Sequence, residues 1–227
     1  MYSASRRLLQ FAFHLLYNPF AFTYDWVSRI VSRGRWRAWT NAAIPYLVGE
    51  RVLDLPCGTG NLLLDLNAAG FAPIGVDLSP AMLHIARGKL LHSERNRNGA
   101  TMESKKAQSK NAPLLRARAQ ALPFAAGAFD SITMTFPPSF VYDPQVWAEL
   151  HRVLRDHGRL IWVDGGRLKS PSVLDRWLNR AFQVVDGGDE MARRMTQMLA
   201  RTDFNSRVEI IEDEFSAVTA VIATRRG

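Results

Sequence analysis

Two aspartates and a short glycine loop are the residues of this sequence best suited to binding chemistry. Asp54 begins the spacing Asp-x-x-x-Gly-x-Gly, which continues through Gly58 and Gly60, and Asp77 follows 23 residues after the first aspartate. Glycines let backbone N–H groups approach a ligand closely, and a helix beginning at Asn61 would add a partial positive charge. Two carboxylates beside such a loop favour a polar ligand that carries positive charge.

A glycine loop followed by an acid is also typical of dinucleotide sites, so the ligand class depends on details of the spacing. The third glycine of a dinucleotide loop would fall at Leu63, which is bulky. A pyrophosphate would lie close to the negative charge of Asp54, whereas the ammonium and sulfonium groups of S-adenosylmethionine would be attracted to it. The residues therefore favour S-adenosylmethionine over NAD.

A parallel sheet is the element that would bring these residues together. Short apolar runs alternate with amphipathic segments, which is typical of a sheet with helices on both faces. The carboxyl ends of neighbouring parallel strands meet at one edge, so Asp54 and Asp77 should adjoin the crevice there. The predicted strands are 51–55, 72–77, 114–119, 131–136 and 159–164. The predicted helices are 61–69, 80–91, 144–154, 171–186 and 189–202. Two β-rich runs, 207–211 and 217–224, predict an antiparallel hairpin at a sheet edge.

The composition describes one globular domain. The chain has 227 residues, 47% of them hydrophobic, which is enough for one core. Cys57 is the single cysteine, so we expect no internal disulfide, no metal cluster and a cytoplasmic location. The net charge of +8 is concentrated in residues 1–40 and 88–118, a pattern suited to an anionic surface or to solubility. Residues 93–111 are polar without hydrophobic periodicity, which predicts a mobile surface loop.

The N-terminal stretch MYSASRRLLQFAFHLLYNPF has the outline of a signal peptide. No small-residue cleavage site follows, Asn18-Pro19 interrupts the apolar run, and no stretch reaches the roughly 18 apolar residues of a membrane span. We therefore expect a helix packed on the domain. A basic, aromatic-rich helix lying on a bilayer surface is the alternative.

Five stretches carry a family resemblance: YDWVSRIVSRGRWRAW, VLDLPCGTGNLL, GVDLSPAMLHIAR, AQALPFAAGAFDSITMTF and ELHRVLRDHGRLIWVD. The last four, in this order, resemble class I S-adenosylmethionine-dependent methyltransferases of the ubiquinone/menaquinone-biosynthesis-like group (methyltransferase type 11) over about residues 45–165, and the first is similar to that group's N-terminal helix. The resemblance implies an α/β fold with a Rossmann-like, seven-stranded, mostly parallel sheet, helices on both faces and a C-terminal antiparallel hairpin. Residues 1–44 would form a helical lid segment and 45–227 the methyltransferase domain.

The resemblance also implies a set of cofactor-binding residues and no metal. They are Asp54, Leu55, Pro56, Cys57, Gly58, Thr59, Gly60, Asp77, Leu78, Met82, Arg118, Ala119, Gln120, Thr135 and Phe136. Asp54 and the loop from Pro56 to Gly60 would hold the amino-acid end of the cofactor, and Asp77 would accept from its ribose hydroxyls. Leu78 and Met82 would line the ribose and adenine, Ala119 and Gln120 would bracket the adenine edge, and the last two residues would close the floor near the methyl group.

The activity implied is methyl transfer to a small lipophilic acceptor such as a quinone or phenol. Tyr24 would act as a lid. If the acceptor must lose a proton, four side chains are candidates, and a dedicated base is optional: Tyr24, Tyr142, Asp143 and His151.

Two alternative functions follow, one from a departure from the family's motif and one from the two basic patches. Arg118 stands where relatives place an acid for the adenine amino group, and arginine has no acceptor, so the chain could be an inactive binding or assembly protein. The basic patches prompt an RNA methyltransferase, but Phe136-Pro137-Pro138-Ser139 lacks the Asn or Asp of a base-flipping signature. A small-molecule acceptor is thus the expected partner, with peripheral membrane contact as an addition. Nucleic acid is disfavoured, and the oligomeric state is unspecified.

Overall fold

The computed structural model describes residues 21–98, 112–169, 172, 179, 197–199 and 202–227. Its strands are β1 (Arg51–Asp54), β2 (Ala72–Asp77), β3 (Leu114–Arg116), β4 (Phe129–Thr135), β5 (Leu154–Leu168), β6 (Phe204–Glu212) and β7 (Ser216–Arg225). Its helices are α1 (Tyr24–Val31), α2 (Trp36–Asn41), α3 (Asn61–Ala68), α4 (Pro80–Asn98) and α5 (Pro144–Val153), with 3₁₀ turns at Ala21–Thr23, Ile44–Tyr46 and Ser139–Tyr142.

The strands form one sheet in the order β3-β2-β1-β4-β5-β7-β6. β1 pairs in parallel with both β2 and β4, so Leu53 lies between Ile74 and Ile132. The chain builds outward from β1 to β3 and then returns to β4 on the other side. The strand order therefore reverses between β1 and β4, and the carboxyl ends of these two strands border the crevice where ligands bind in open α/β sheets.

Helices cover both faces of the sheet, as predicted. Leu160 and Trp162 of β5 pack with Trp147 of α5 in one apolar cluster. Ile161 and Val163 alternate with them and pack on the opposite face, against Trp39 of α2. Successive side chains of a strand point to opposite faces, so β5 contributes to both halves of the core.

The predicted hairpin is confirmed at the sheet edge, where β7 pairs antiparallel with both β5 and β6. β5 runs over 154–168 rather than 159–164, because it pairs with a neighbour on each side. β3 ends at Arg116 rather than 119, opposite Asp77, the last residue of β2.

The predicted loop 93–111 is wrong for its first six residues, because α4 continues to Asn98. No glycine or proline interrupts the chain between Gly88 and Gly99, and the Asn96 amide contacts the His92 ring at 3.0 Å, one helical turn away. Residues 99–111 and the predicted N-terminal helix lie outside the described residues. So do most of 171–186 and 189–202, of which 179 and 197–199 are helical.

Candidate functional site

Asp54 is a buried carboxylate with one satisfied oxygen. The side chain ends β1 and is 1% exposed, and the Thr133 hydroxyl of β4 donates to its Oδ1 at 2.9 Å. Its Oδ2 has no hydrogen-bond partner in the described part of the chain. Burial raises the pKa of Asp54 to about 7, the bond from Thr133 opposes that rise, and the charge of Asp77 adds to it. The site thus presents a carboxylate that a cation would complete.

Asp77 connects the end of β2 to the glycine loop. Gly58 N donates to Oδ2 at 2.9 Å, and Ser79 N donates to Oδ1 at 2.8 Å. Burial raises the pKa of Asp77, and these two backbone bonds oppose the rise. A carboxylate has about four acceptor positions, so each oxygen can still accept one more bond. Two adjacent hydroxyl groups would match this remaining capacity.

The glycine loop is held tightly between β2 and the helices. Cys57 N donates to Val76 O at 2.9 Å, and Gly60 N donates to Cys57 O at 3.0 Å. Gly60 has φ +78°, and a Cβ added there would lie 2.8 Å from the Ala86 Cβ of α4. Cys57 is buried, and burial raises the pKa of its thiol, which disfavours the reactive thiolate form.

An acid that the sequence analysis did not single out, Asp25 of α1, binds the outer side of this loop. Its Oδ1 accepts from Thr59 Oγ1 at 2.6 Å and from Asn61 Nδ2 at 2.9 Å. Its Oδ2 accepts from the Lys89 ammonium of α4. The one signal in the sequence is position, since Asp25 directly follows the predicted lid residue Tyr24.

An aromatic wall extends from the end of β4 to the N-terminal helices. Trp36 stacks on Phe136 with ring centroids 4.3 Å apart, and Tyr24 meets Trp36 edge to face at 6.1 Å. Phe136 has φ +47°, a left-handed conformation that is uncommon for a residue with a Cβ and recurs at functional sites. It directly follows Thr135, the last residue of β4. Two predicted residues, Tyr24 and Phe136, are thus joined through Trp36.

The residues predicted around adenine divide into buried and exposed ones. Met82 and Ala119 are buried, whereas Leu78 and Arg118 are exposed. The amide of Gln120 donates to Asp143 Oδ2 at 3.0 Å.

Asp143 serves as the N-cap of α5, because its Oδ1 accepts from Gln145 N at 3.0 Å. The hydrogen bond from Gln120 and this backbone bond hold the pKa of Asp143 below its ordinary value. The carboxylate therefore stays ionised at neutral pH and is a weak proton acceptor. Tyr142 precedes it at the same edge of the sheet and is exposed.

His151 is not brought together with the other candidates. α5 starts at the carboxyl edge of the sheet and ends just before Leu154. Leu154 pairs with the first residue of β4, so the last turn of α5, which carries His151, lies at the amino edge of the sheet. There the His151 ring meets Phe204 edge to face at 5.6 Å. Burial and the charge of Arg225 lower the pKa of His151, which keeps the ring neutral.

This chain is similar to one protein family, to curated relatives and to solved structures. The model of the ubiE/COQ5 methyltransferase family matches residues 9–201. A demethylmenaquinone methyltransferase of Symbiobacterium thermophilum is 31% identical over 160 residues, 67% of this chain and 58% of that protein. One from Thermus thermophilus is 34% identical over 155 residues, 66% of this chain and 64% of that protein. The chain thus spans less than two thirds of the length of either relative.

A solved structure from Thermotoga maritima, described as a SAM-dependent methyltransferase, matches with a TM-score of 0.63 at 19% identity, over 94% of this chain and 99% of that one. At this identity the likeness concerns the fold, and it confirms the predicted α/β architecture.

Proposed function

Because the chain belongs to the ubiE/COQ5 methyltransferase family, we propose that it transfers a methyl group from S-adenosylmethionine to a small lipophilic acceptor of the quinone or phenol class. Membership of the family confirms the resemblance predicted from the motifs. The names of the relatives, demethylmenaquinone methyltransferase and ubiquinone/menaquinone biosynthesis C-methyltransferase, support a quinone-like acceptor.

The observation that carries this proposal is the unsatisfied, buried oxygen of Asp54. A cationic ammonium near Oδ2 would supply the missing partner and favour the ionised form of the side chain. Asp77 has acceptor capacity for two ribose hydroxyls, and Gly58 provides an approach without a side chain. These groups fit the amino-acid and ribose parts of S-adenosylmethionine, so we assign the loop from Leu55 to Gly60 to the same ligand.

When bound, this cofactor supplies a methyl carbon already activated by a sulfonium, so the protein's task is to align the acceptor and exclude water. The wall of Tyr24, Trp36 and Phe136 is suited to both, because it places apolar aromatic surface beside the carboxyl end of β4. We propose residues 1–44 as the lid that carries part of this wall. If a proton must be accepted, Tyr24 and Tyr142 are better placed than the N-cap Asp143 or the distant His151.

We also propose that the N-terminal segment contacts a bilayer surface, where a lipophilic acceptor would be found. Trp26 and Ile30 are 67% and 50% exposed and lie four residues apart, which places them on one side of α1; Phe22, in the 3₁₀ turn before the helix, is 73% exposed. Exposed Arg29 lies beside them, while Ser28 faces the protein. Apolar aromatic side chains mixed with arginines are typical of interfacial helices. Within the described ranges, no helix has both the length and the apolar character needed to cross a bilayer.

A turnover assay tests the enzyme proposal. The protein is incubated with S-adenosylmethionine and quinol, phenol, lipid or amine acceptors, and S-adenosylhomocysteine is quantified. We expect turnover with a quinol or phenol, and a loss of about two orders of magnitude in Asp77→Ala, which removes two charge-assisted hydrogen bonds. Asp156→Ala is the matched control, since this exposed carboxylate lies at the amino edge of the sheet and pairs with Arg225.

Failure would take one of two forms. Equal turnover by wild type and Asp77→Ala would remove the site assignment. Absence of binding at millimolar S-adenosylmethionine would favour the binding or assembly alternative, and retention on RNA that falls steeply with salt would favour the RNA alternative.

A further inference from the structure

We propose that Asp25 is a positioning residue that couples the docking of α1 to the shape of the glycine loop. This inference rests on the proposed function, because it concerns how the same loop is held for its ligand. Asp25 lies on the outer side of the loop, and the buried carboxylates Asp54 and Asp77 lie at the strand ends. The predicted lid and the cofactor loop would therefore adopt their working positions together.

The contacts of Asp25 join four separate parts of the fold. One carboxylate, from α1, accepts from Thr59 of the loop, from Asn61 at the start of α3 and from Lys89 of α4. The same lysine also donates to Asn61 Oδ1 at 2.7 Å, which closes a ring of three side chains. Thr59 is buried, so its hydroxyl depends on a partner within the protein.

The contacts require acceptors on both side-chain oxygens of residue 25. The three donors are a hydroxyl, an amide and an ammonium, and an asparagine here would present an amide N–H, which cannot accept, to one of them. Asp25 and Lys89 keep 37% and 25% of their side-chain surface exposed, so solvent screens the pair. Loss of the carboxylate should therefore cost little global stability while releasing the loop residue Thr59.

Tyr24, the residue before Asp25, would connect the docking of α1 to the part of the site proposed for the acceptor. Its ring meets Trp36 of the aromatic wall at 6.1 Å. Fixing Asp25 on the loop thus also fixes Tyr24 at the wall. Linkage is reciprocal, so a ligand that orders the loop should tighten the docking of α1 by the same factor.

The experiment compares Asp25→Ala, Asp25→Asn and Asp25→Glu with Arg37→Ala. Arg37 is the matched control, because it pairs with Asp65 and so ties α2 to α3 without touching the glycine loop. Dissociation constants for S-adenosylhomocysteine are measured by calorimetry. Hydrogen exchange is followed at residues 21–32 and 57–61 with and without this ligand, and KM for S-adenosylmethionine is measured separately from kcat.

We expect Asp25→Ala and the isosteric Asp25→Asn to weaken ligand binding by about tenfold, to raise KM more than they lower kcat, and to speed exchange in both segments. Asp25→Glu should bind more tightly than Asp25→Ala, and Arg37→Ala should bind as wild type. The ligand should slow exchange of α1 in wild type but not in Asp25→Ala.

Unchanged affinity and exchange in Asp25→Ala and Asp25→Asn would overturn the inference, as would equal losses in Arg37→Ala. If wild type does not bind the nucleoside at all, the proposed function fails. In that case, hydrogen exchange of residues 57–61 in the unliganded variants tests whether Asp25 couples α1 to the glycine loop. Faster exchange than in wild type supports the coupling, and equal exchange rejects it.

Discussion

The buried carboxylate of Asp54 lowers the stability of the folded protein when it is ionised. Its pKa moves from an ordinary 3.8 to about 7, chiefly because burial penalises the charge. Between these two values the folded chain binds one proton more than the unfolded chain, so stability falls as pH rises from about 4 to about 7 and is level above that. A group that only supported the fold would be replaced by an apolar side chain. A carboxylate in this position is better explained by a cationic ligand.

The first prediction concerns this carboxylate in the absence of ligand. Asp54→Asn should unfold at a higher temperature than wild type at pH 8, because the variant does not have to bury a charge. The advantage, on the order of a few kcal/mol, should shrink toward pH 4, where the carboxyl of the folded wild type is protonated and no charge is buried. Thermal unfolding from pH 4 to pH 8 measures it. Asp156→Asn, which also replaces an aspartate by its amide but at an exposed site, is the matched control. A pH-independent difference for Asp54→Asn would contradict a stability cost from the buried charge.

At the scale of elements, the sequence predicted what depends on local signals. The strand, glycine loop and helix from Arg51 to Ala68 follow from apolar pattern and turn residues, and the caps at Ser79 and Asp143 follow from the residue type before a proline. The adjacency of Asp54 and Asp77 follows from parallel pairing.

Contacts between distant segments were not predictable. Asp25 binds Thr59 across 34 residues, and Trp36 stacks on Phe136 although the two are far apart in the sequence, without any local pattern that specifies either contact. The raised pKa of Asp54 likewise depends on complete burial, which a sequence pattern does not quantify. The sequence therefore predicted the acidic residues at the strand ends but not the contacts of Asp25 and Trp36.

A glycine pair in the loop offers a test at this scale. Gly58 and Gly60 both have positive φ, at +52° and +78°, so alanine is strained at either position. A Cβ at Gly58 meets nothing within 4 Å, whereas one at Gly60 lies 3.1 Å from the backbone Cα of Ala86. Gly58→Ala should cost about 1 kcal/mol of unfolding free energy and Gly60→Ala about 2 to 4 kcal/mol, because α4 must move. Denaturant unfolding measures both, and equal losses would mean that the loop does not depend on close packing against α4.

For the whole molecule, the distribution of exposed apolar side chains is uneven. Six of the large ones in the described residues belong to the segments at the carboxyl edge of the sheet: Phe22, Trp26, Ile30, Leu78, Tyr142 and Phe215. Phe215, in the turn between β6 and β7, reaches this edge because its carbonyl accepts from Lys169 N just after β5. The Arg35 guanidinium lies 4.4 Å from the centre of its ring. The edge that opens the crevice therefore carries most of the large exposed apolar side chains of the described surface, with Arg35 among them.

If this edge faces a bilayer, removing two of its side chains should weaken vesicle binding. Trp26→Ala/Ile30→Ala should lower partitioning into phosphatidylcholine–phosphatidylglycerol vesicles by roughly tenfold or more, because each side chain contributes on the order of 1 kcal/mol when partly buried in lipid. Sedimentation with vesicles measures this. Binding should fall with added salt and without phosphatidylglycerol, since the arginines contribute through screened charge.

The matched control for that experiment is Val208→Ala/Ile210→Ala on β6. These side chains are 42% and 59% exposed and equally apolar, but they lie along the edge strand rather than at the crevice. The control should bind vesicles as wild type does. Equal losses in both double variants would indicate nonspecific hydrophobic adsorption. No loss in Trp26→Ala/Ile30→Ala would remove α1 from any membrane contact, and the acceptor would then have to reach the crevice through water.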